Sequence, residues 1–436
     1  FTSVVFSPYT ADMKPRILSR FVSTLCVALF GSFALHTEAG DYTLVVEGFD
    51  WGPSASKVVL SVEDPVNQVN PSDFSVEATR STDLMPLPPE QATGTRSVIH
   101  AYPSDPDGNM LDSGSHITLV MFVGPTDGLG SPMQYVPSAR NQWIDYRLTV
   151  KQHSTGSVWT NETRRIRPLV DAFDSDGTYT HEDGTTLTYA SFTPTATSGK
   201  RPLIIWLHGG GEGGTDPSIV LMANRAANYA SDEIQTIFGG AYVLAPQTPT
   251  RWMHGISGEA TWGQEEDIYH KPLMGLFRHF ISRNPDVDPS RIYVGGCSNG
   301  GYMSLKLLIE NPRFFAGAFI SSMAYKADFI SDESLQKIKD TPVWFVHASA
   351  DDTTPAADTV IPLHKRLLAA GASDVHLSLY DHVTDITGVF GGDGYRYNGH
   401  FSWVYLHANQ CRMDMDGKPV MLDGRPTTIM EWLAAQ

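Results

Sequence analysis

Three side chains, met in the order Ser298, Asp351 and His400, are of the types that carry nucleophilic catalysis. A serine hydroxyl attacks poorly until a base takes its proton, and the base works best when an acid fixes its tautomer. Ser298 sits in Gly296-Cys-Ser-Asn-Gly300, a Gly-x-Ser-x-Gly pentapeptide. An apolar run, Ile292 to Val294, precedes it, and a helical pattern with Met303, Leu307 and Leu308 on one face follows. Strand, sharp turn and helix form the context in which a serine projects clear of a sheet. The flanking glycines remove Cβ atoms that would collide at such a corner.

The acid is read at the end of the run Phe345-Val-His-Ala-Ser-Ala-Asp351-Asp352, where Asp351 is preferred and Asp352 is the alternative. His347 in that run reads as support for the strand end. The base is His400 in Asn398-Gly-His-Phe-Ser-Trp403, which follows the acid and opens a helical segment; His382 competes with it. Upstream, His208-Gly-Gly-Gly-Glu-Gly-Gly214 directly follows the apolar run Leu203–Leu207. Glycines there let backbone N–H groups point into a cavity, so Gly210 and Gly211, with the amide of Asn299, are the candidate oxyanion donors. Trp252, Trp262 and Trp403 lie in segments leading to the same face and are candidates to line a cleft, with core packing as the competing reading.

The elements that must hold these residues change character along the chain. From Tyr42 to Val150 there are six short β-like runs, rich in β-branched and aromatic residues, separated by turn clusters such as Pro103-Ser-Asp-Pro-Asp-Gly-Asn109. Short strands so spaced predict an immunoglobulin-type β-sandwich. The acidic turn invites a calcium reading, but it lacks the full ligand spacing and is read as a hairpin turn. From about Arg165, short apolar runs (Leu203–Leu207, Ala241–Ala245, Ile292–Val294, Ala316–Ile320, Val343–Val346, Val375–Tyr380) alternate with helical spacings. That alternation predicts a doubly wound, mostly parallel α/β domain. The polar segment from Lys151 to Thr185 holds the boundary, placed near Thr163. This divides the chain into residues 1–39, 40–163 and 164–436. Asn161-Glu-Thr163 is a glycosylation sequon, which argues for a surface position.

Composition is that of a globular protein, 41% hydrophobic and 18% charged, with a formal net charge of −17. Such a charge argues against nucleic acid and against an anionic membrane surface as partners. Met13, the basic Lys14, Arg16 and Arg20, the apolar run Phe21 to Leu35, and small residues at Ser32 and Ala34 or Thr37 and Ala39 read as a signal peptide. The expected location is therefore outside the cytoplasm, extracellular or periplasmic. The apolar run is too short for a transmembrane helix. Beyond the leader, two cysteines remain, Cys297 and Cys411, which pair only if geometry allows. Glu265, Glu266, Asp267 and His270 can be read as metal ligands, but acids opening a helix are more often dipole partners. No His/Cys cluster has zinc spacing, and neither metal nor cofactor is expected.

Taken together, His208-Gly-Gly-Gly-Glu-Gly-Gly, Ala245-Pro-Gln-Thr-Pro249, Gly296-Cys-Ser-Asn-Gly-Gly-Tyr-Met303, the strand into Asp351 and Asn398-Gly-His-Phe-Ser-Trp403 resemble a group of secreted α/β-hydrolases. That group is related to polyhydroxybutyrate depolymerases and feruloyl or acetylxylan esterases, and its EstA-type members carry an immunoglobulin-like domain ahead of the hydrolase. The resemblance covers most of residues 40–436, and it is tighter in the catalytic half than in the β half. It implies a serine esterase with Ser298, Asp351 and His400 as its triad, acting on small or polymer-linked esters. A peptidase with the same triad and a binding protein with an ancillary hydrolase scaffold are the rival expectations.

Overall fold

The computed structural model describes residues 39–195 and 199–436, and the leader read in residues 1–39 falls almost wholly outside them. Ala39–Gln436 form one compact unit built on two eight-stranded sheets.

The first half holds β1 (Gly40–Phe49), β2 (Gly52–Val66), β3 (Phe74–Ser81), β4 (Thr93–Arg96), β5 (Val98–Ser104), β6 (Gly114–Met121), β7 (Met133–Val136), β8 (Arg140–Trp143), β9 (Asp145–Gln152) and β10 (Val158–Ile166). Eight of them form one ladder in the order β4-β3-β9-β10-β1-β2-β6-β5, and β7 and β8 pair apart as a hairpin. β10 makes the turn-over between the two halves of the ladder. It pairs with β9 only at Val158 and Trp159, then runs parallel to β1. Alternate residues from both halves, among them Leu44, Val46, Val58, Leu60, Val76, Ala78, Leu119, Leu148 and Val150, share one core. This alternation is the period-2 pattern of strands with one buried face. The six anticipated strands are all present. β10 was missed by the sequence reading because most of its side chains are polar and only Trp159 is buried. It continues to Ile166, past Thr163. Asp105 accepts from the amides of Asp107 and Asn109 (2.9 Å each), so the acidic stretch between β5 and β6 is a self-bonded turn.

The second sheet contains β11 (Asp174–Thr180), β12 (Thr186–Phe192), β13 (Arg201–Leu207), β14 (Tyr242–Gln247), β15 (Val287–Cys297), β16 (Gly317–Ser321), β17 (Val343–Ala348) and β18 (Val375–Tyr380). Its order is β11-β12-β14-β13-β15-β16-β17-β18. β12 is antiparallel to its neighbours, and β14 through β18 are joined by parallel pairings. The six apolar runs are the parallel strands. β13, β14, β16 and β17 are buried along their whole length, as strands covered on both faces must be. In the edge hairpin, β11 alternates exposed and part-buried residues and β12 buries only Leu187 and Ala190, and this weak pattern was not legible beforehand.

Helices His270–Arg283, Asn299–Glu310 and Val360–Ala369 each bury an apolar stripe, with Leu273, Leu276 and Phe277 in the first, Met303, Leu307 and Leu308 in the second, and Leu363 and Leu367 in the third, where the neighbouring Leu368 is exposed. Each fully buried aliphatic or aromatic side chain of this kind, such as Phe277, Leu307 or Leu363, contributes about 1.5–3 kcal/mol of burial. Asp267 Oδ1 accepts from the amides of Tyr269 (2.9 Å) and His270 (2.8 Å) at the start of the first of these helices. Lys306 Nζ binds Glu266 at 3.1 Å. The acidic run therefore works as cap and ion pair. Among the described residues no group of three or more His, Cys, Asp or Glu is placed to hold a metal, and no helix is long and apolar enough to cross a membrane. Cys297 and Cys411 are both buried and free.

Candidate active site

Ser298 stands between β15, which ends at Cys297, and the helix Asn299–Glu310, with φ 57° and ψ −118°. A side-chain-bearing residue in this region is strained by about 1–3 kcal/mol and persists only when its surroundings hold it. Here its N–H donates to Ser321 O (3.1 Å), and its carbonyl accepts from Tyr302 N (3.0 Å) and Ala324 N (3.1 Å). A Cβ on Gly296 would lie 2.5 Å from Gly300 O and 2.7 Å from Leu207 O. Strand, helix and the start of the glycine loop can close on the serine only because that atom is missing.

Asp351 lies just beyond β17, buried to 2% exposure. Its Oδ1 accepts from the amides of Thr353 and Thr354 (2.9 Å each), and its Oδ2 is 2.8 Å from Thr354 Oγ1 and 2.8 Å from His400 Nδ1. His347, buried on β17, donates from Nε2 to Thr354 O at 2.7 Å and passes 3.3 Å from Asp351 Oδ2. Burial alone would raise the Asp351 carboxyl, but the hydrogen bonds from His347 and His400 and the Thr354 amide hold it well below the usual carboxylate range. Asp352 is exposed, so of the two adjacent acids it is Asp351 that meets the histidine.

His400 is half-buried in a short 3-10 turn, Gly399–Phe401. Asn398 Oδ1 accepts from His400 N (2.9 Å), and Ser322 Oγ donates to His400 O (2.7 Å). A Cβ on Gly399 would fall against the Ala350 carbonyl and 2.9 Å from Asp351 N, so glycine lets the histidine turn press onto the acid turn. The ring packs edge-on against Trp403, with centroids 5.4 Å apart. His382 contributes its carbonyl to Tyr405 Oη (3.1 Å) and lies outside the cavity.

Ser298 and His400 line a cavity of 720 Å³, together with Gly210, Gly211 and Asn299. The Asn299 side chain, 3% exposed, accepts from Trp252 N (2.7 Å) and donates to His208 O (3.3 Å). His208 places Nδ1 2.6 Å from Gly209 O, while Nε2 accepts from Thr248 N (3.2 Å). Burial lowers its imidazole to about 4, so it stays neutral and keeps one tautomer. Trp262 and Trp403 line the cavity, and Lys326 Nζ stands 5.7 Å over the Trp262 ring. Trp252 does not. It is fully buried against His208 and Tyr269, with centroids at 4.8 and 5.8 Å. Its large ring packs behind the glycine loop instead of facing the cleft.

The sequence reading missed the other wall of the cavity. Trp51, Met133, Tyr135 and Asn141 of the first domain line it as well. Contacts between the domains are specific, with Trp143 Nε1 donating to Ser218 Oγ (2.9 Å) and Arg225 Nη1 to Asp50 Oδ1 (2.6 Å). No local motif marks these residues, because their role comes only from docking. Glu212 was visible inside the glycine loop, but nothing in the spacing assigned it a task.

A mostly parallel eight-stranded sheet with a strained serine between strand and helix defines the α/β-hydrolase fold. Family matches then give it a more particular place. Residues 41–162 match the family described as Esterase Ig-like N-terminal domain, and residues 192–385 match the Phospholipase/Carboxylesterase family. The two matches place an esterase-type immunoglobulin-like domain ahead of a carboxylesterase-type hydrolase domain. A solved structure titled as a thermostable esterase is 23% identical, with a TM-score of 0.69 over 85% of this chain and 96% of its own; at that identity it speaks for the fold. More distant likenesses include a ferulic acid esterase (12% identity, TM-score 0.39, 53% of this chain and 98% of that one). A Pyrococcus horikoshii acylaminoacyl peptidase is another (14%, 0.39, 66% and 48%). No curated protein matches the sequence.

Proposed function

We propose that the protein is a secreted serine carboxylesterase acting on short-chain or aryl esters, including esters carried on a plant polysaccharide or a polyester. The observation that carries this reading is the 2.8 Å contact of His400 Nδ1 with a buried, low-pKa Asp351, on a histidine that shares its cavity with a strained Ser298. With Nδ1–H given to Asp351, Nε2 is the free basic atom. It takes the Ser298 hydroxyl proton as Oγ attacks the ester carbonyl, and the amides of Gly210 or Gly211 and Asn299 receive the oxyanion. His400 passes that proton to the leaving alcohol. A water, deprotonated by the same nitrogen, then releases the acid and regenerates Ser298. The aromatic walls at Trp51, Tyr135, Trp262, Phe401 and Trp403 suit aryl or short acyl groups. Secretion rests on the leader pattern after Met13.

The test is a chain-length series of p-nitrophenyl esters, with methyl ferulate, a polyester film and peptide p-nitroanilides alongside. Ester turnover by the wild type that falls at least about 10³-fold in both Ser298→Ala and His400→Ala is expected. A folded wild type that cleaves the anilides and leaves every ester intact would overturn the reading in favour of a peptidase.

A further inference from the structure

The glycine loop that would hold the oxyanion is braced from outside its own domain. Glu212 lies in that loop and is 4% exposed. Its Oε1 accepts from Asn141 Nδ2 at 2.9 Å, and Asn141 belongs to β8, in the hairpin of the immunoglobulin-like domain. Among the described residues its Oε2 has no hydrogen-bonded partner, and the neighbouring Asn224 amide donates to Cys297 Sγ (3.6 Å). The carbonyl of Glu212 accepts from Gln247 Nε2 (2.8 Å). The packing is close on both sides of the loop. A Cβ on Gly209 would lie 2.8 Å from Glu212 Oε2 and 3.3 Å from Cys297 Sγ, and one on Gly211 would lie 3.1 Å from Asn141 Nδ2 and 3.4 Å from the Tyr135 ring. The carboxyl is thus folded inward under Gly209, and the hairpin is pressed onto Gly211.

Oxyanion donors are effective only when their amides are fixed where charge will develop. Three consecutive glycines cannot fix themselves, so the aim of Gly210 and Gly211 has to come from what grips the loop. We propose that Asn141 and Glu212 are a positioning pair through which the immunoglobulin-like domain sets the oxyanion loop of the hydrolase. Neither residue touches the reacting atoms in this arrangement, and the inference rests on the esterase reading above.

The electrostatics agree with the geometry. Among the described residues no Lys, Arg or His nitrogen forms an ion pair with Glu212. The groups packed around it are the neutral amides of Asn141 and Asn224, the buried Cys297 thiol and, behind the loop, neutral His208. Arg140 on the hairpin and Arg251 beside Gly210 are the cations nearest the loop. Burial pushes the Glu212 carboxyl up to about 7 and the Cys297 thiol well above its usual value. A short amide-to-carboxyl bond serves such a group as a strut whichever way it is protonated, whereas a second carboxyl in place of Asn141 would serve only while one of the two holds a proton.

The experiment uses the full chain and a p-nitrophenyl ester it hydrolyses, with kcat and KM read at pH 5.5 and pH 8 for Asn141→Ala, Asn141→Asp, Glu212→Ala and Glu212→Gln. Melting curves report folding for each. Asn141→Ala and Glu212→Ala should lower kcat by about 10- to 100-fold with KM within about twofold, the signature of an interaction expressed in the transition state. Glu212→Gln, whose carbonyl still accepts from Asn141, should recover most of what Glu212→Ala loses. Asn141→Asp should lose at least tenfold more kcat at pH 8 than at pH 5.5. If both Asn141 variants melt like wild type and keep kcat within twofold at both pH values, or raise KM alone, the proposal is wrong. Ester turnover by wild type separates that outcome from failure of the esterase reading. Should Asn141→Ala not fold, the pH response of Asn141→Asp and the Gln-for-Ala recovery at Glu212 decide.

Discussion

Two buried carboxyl groups flank the same serine and are treated in opposite ways. Asp351 is met by two backbone amides, a threonine hydroxyl and two imidazoles, and its pKa is driven far down. Glu212 receives one side-chain amide, from another domain, and its pKa is pushed up to about 7 by burial. Both are nearly inaccessible, but Glu212 is the more completely desolvated, and Asp351 has more donors and an imidazole partner that can carry charge. A buried carboxyl stays ionised only where hydrogen bonds replace its lost hydration. One site can therefore hold a permanent anion behind His400 and a carboxyl that is only partly ionised near neutral pH in its glycine loop.

The largest effect that would break this contrast is at Asp351. In Asp351→Asn the amide nitrogen would oppose the Nδ1–H of His400 and favour the wrong tautomer. Turnover should fall by about 10³- to 10⁴-fold, with a circular dichroism spectrum like that of wild type. If the variant keeps more than a tenth of wild-type kcat, Asp351 is not the group that orients His400.

Next in size is the cost of burying Glu212. Its folded pKa of about 7 exceeds the ordinary glutamate value of 4.5, so the folded state binds the proton more tightly. Stability then falls as pH rises from about 4.5 through 7, by about 3 kcal/mol in total. Glu212→Gln carries no such term. Its denaturant midpoint should match wild type near pH 4 and exceed it at pH 8. Equal midpoints at pH 8 would mean that Glu212 is solvated in the folded protein and that the contrast with Asp351 is false.

What could be read in advance follows from how local each device is. The Ser298 elbow and the glycine loop were legible because backbone geometry itself demands those residues, glycine at Gly296 for closeness and serine at the corner. The six parallel strands were legible because burial on two faces leaves continuous apolar runs. The choice between Asp351 and Asp352 was not settled by type or spacing. Thr354, His347 and His400 decide it, and they come together only when β17 and the His400 turn are packed. Trp252 was misplaced for the same reason, since an indole beside a loop reads alike whether it faces a cleft or a histidine. The hairpin's part in the site was wholly illegible. Asn141 and Glu212 are 71 residues apart, one on a hairpin strand of the first domain and the other in a 3-10 turn of the second.

A smaller effect tests the sign of the argument where a carboxylate has a cation at hand. His376 on β18 places Nδ1 2.7 Å from Asp414 Oδ2 and Nε2 3.1 Å from Asp374 Oδ1. Burial works against its charge, yet the two carboxylates prevail and hold the imidazolium up to about 9. Because this folded value lies above the ordinary 6.5 of a histidine, the pair contributes stability in full below about pH 6.5 and loses it as pH rises through 9. Solvent reaches both acids, so the contribution is about 1–2 kcal/mol. His376→Gln should therefore melt below wild type at pH 6, with the gap closing by pH 10. Glu212→Gln moves the other way, gaining on wild type as pH rises. A gap at His376 that is constant from pH 6 to 10 would mean the imidazole is held by packing against Trp344 and Trp432 and not by charge.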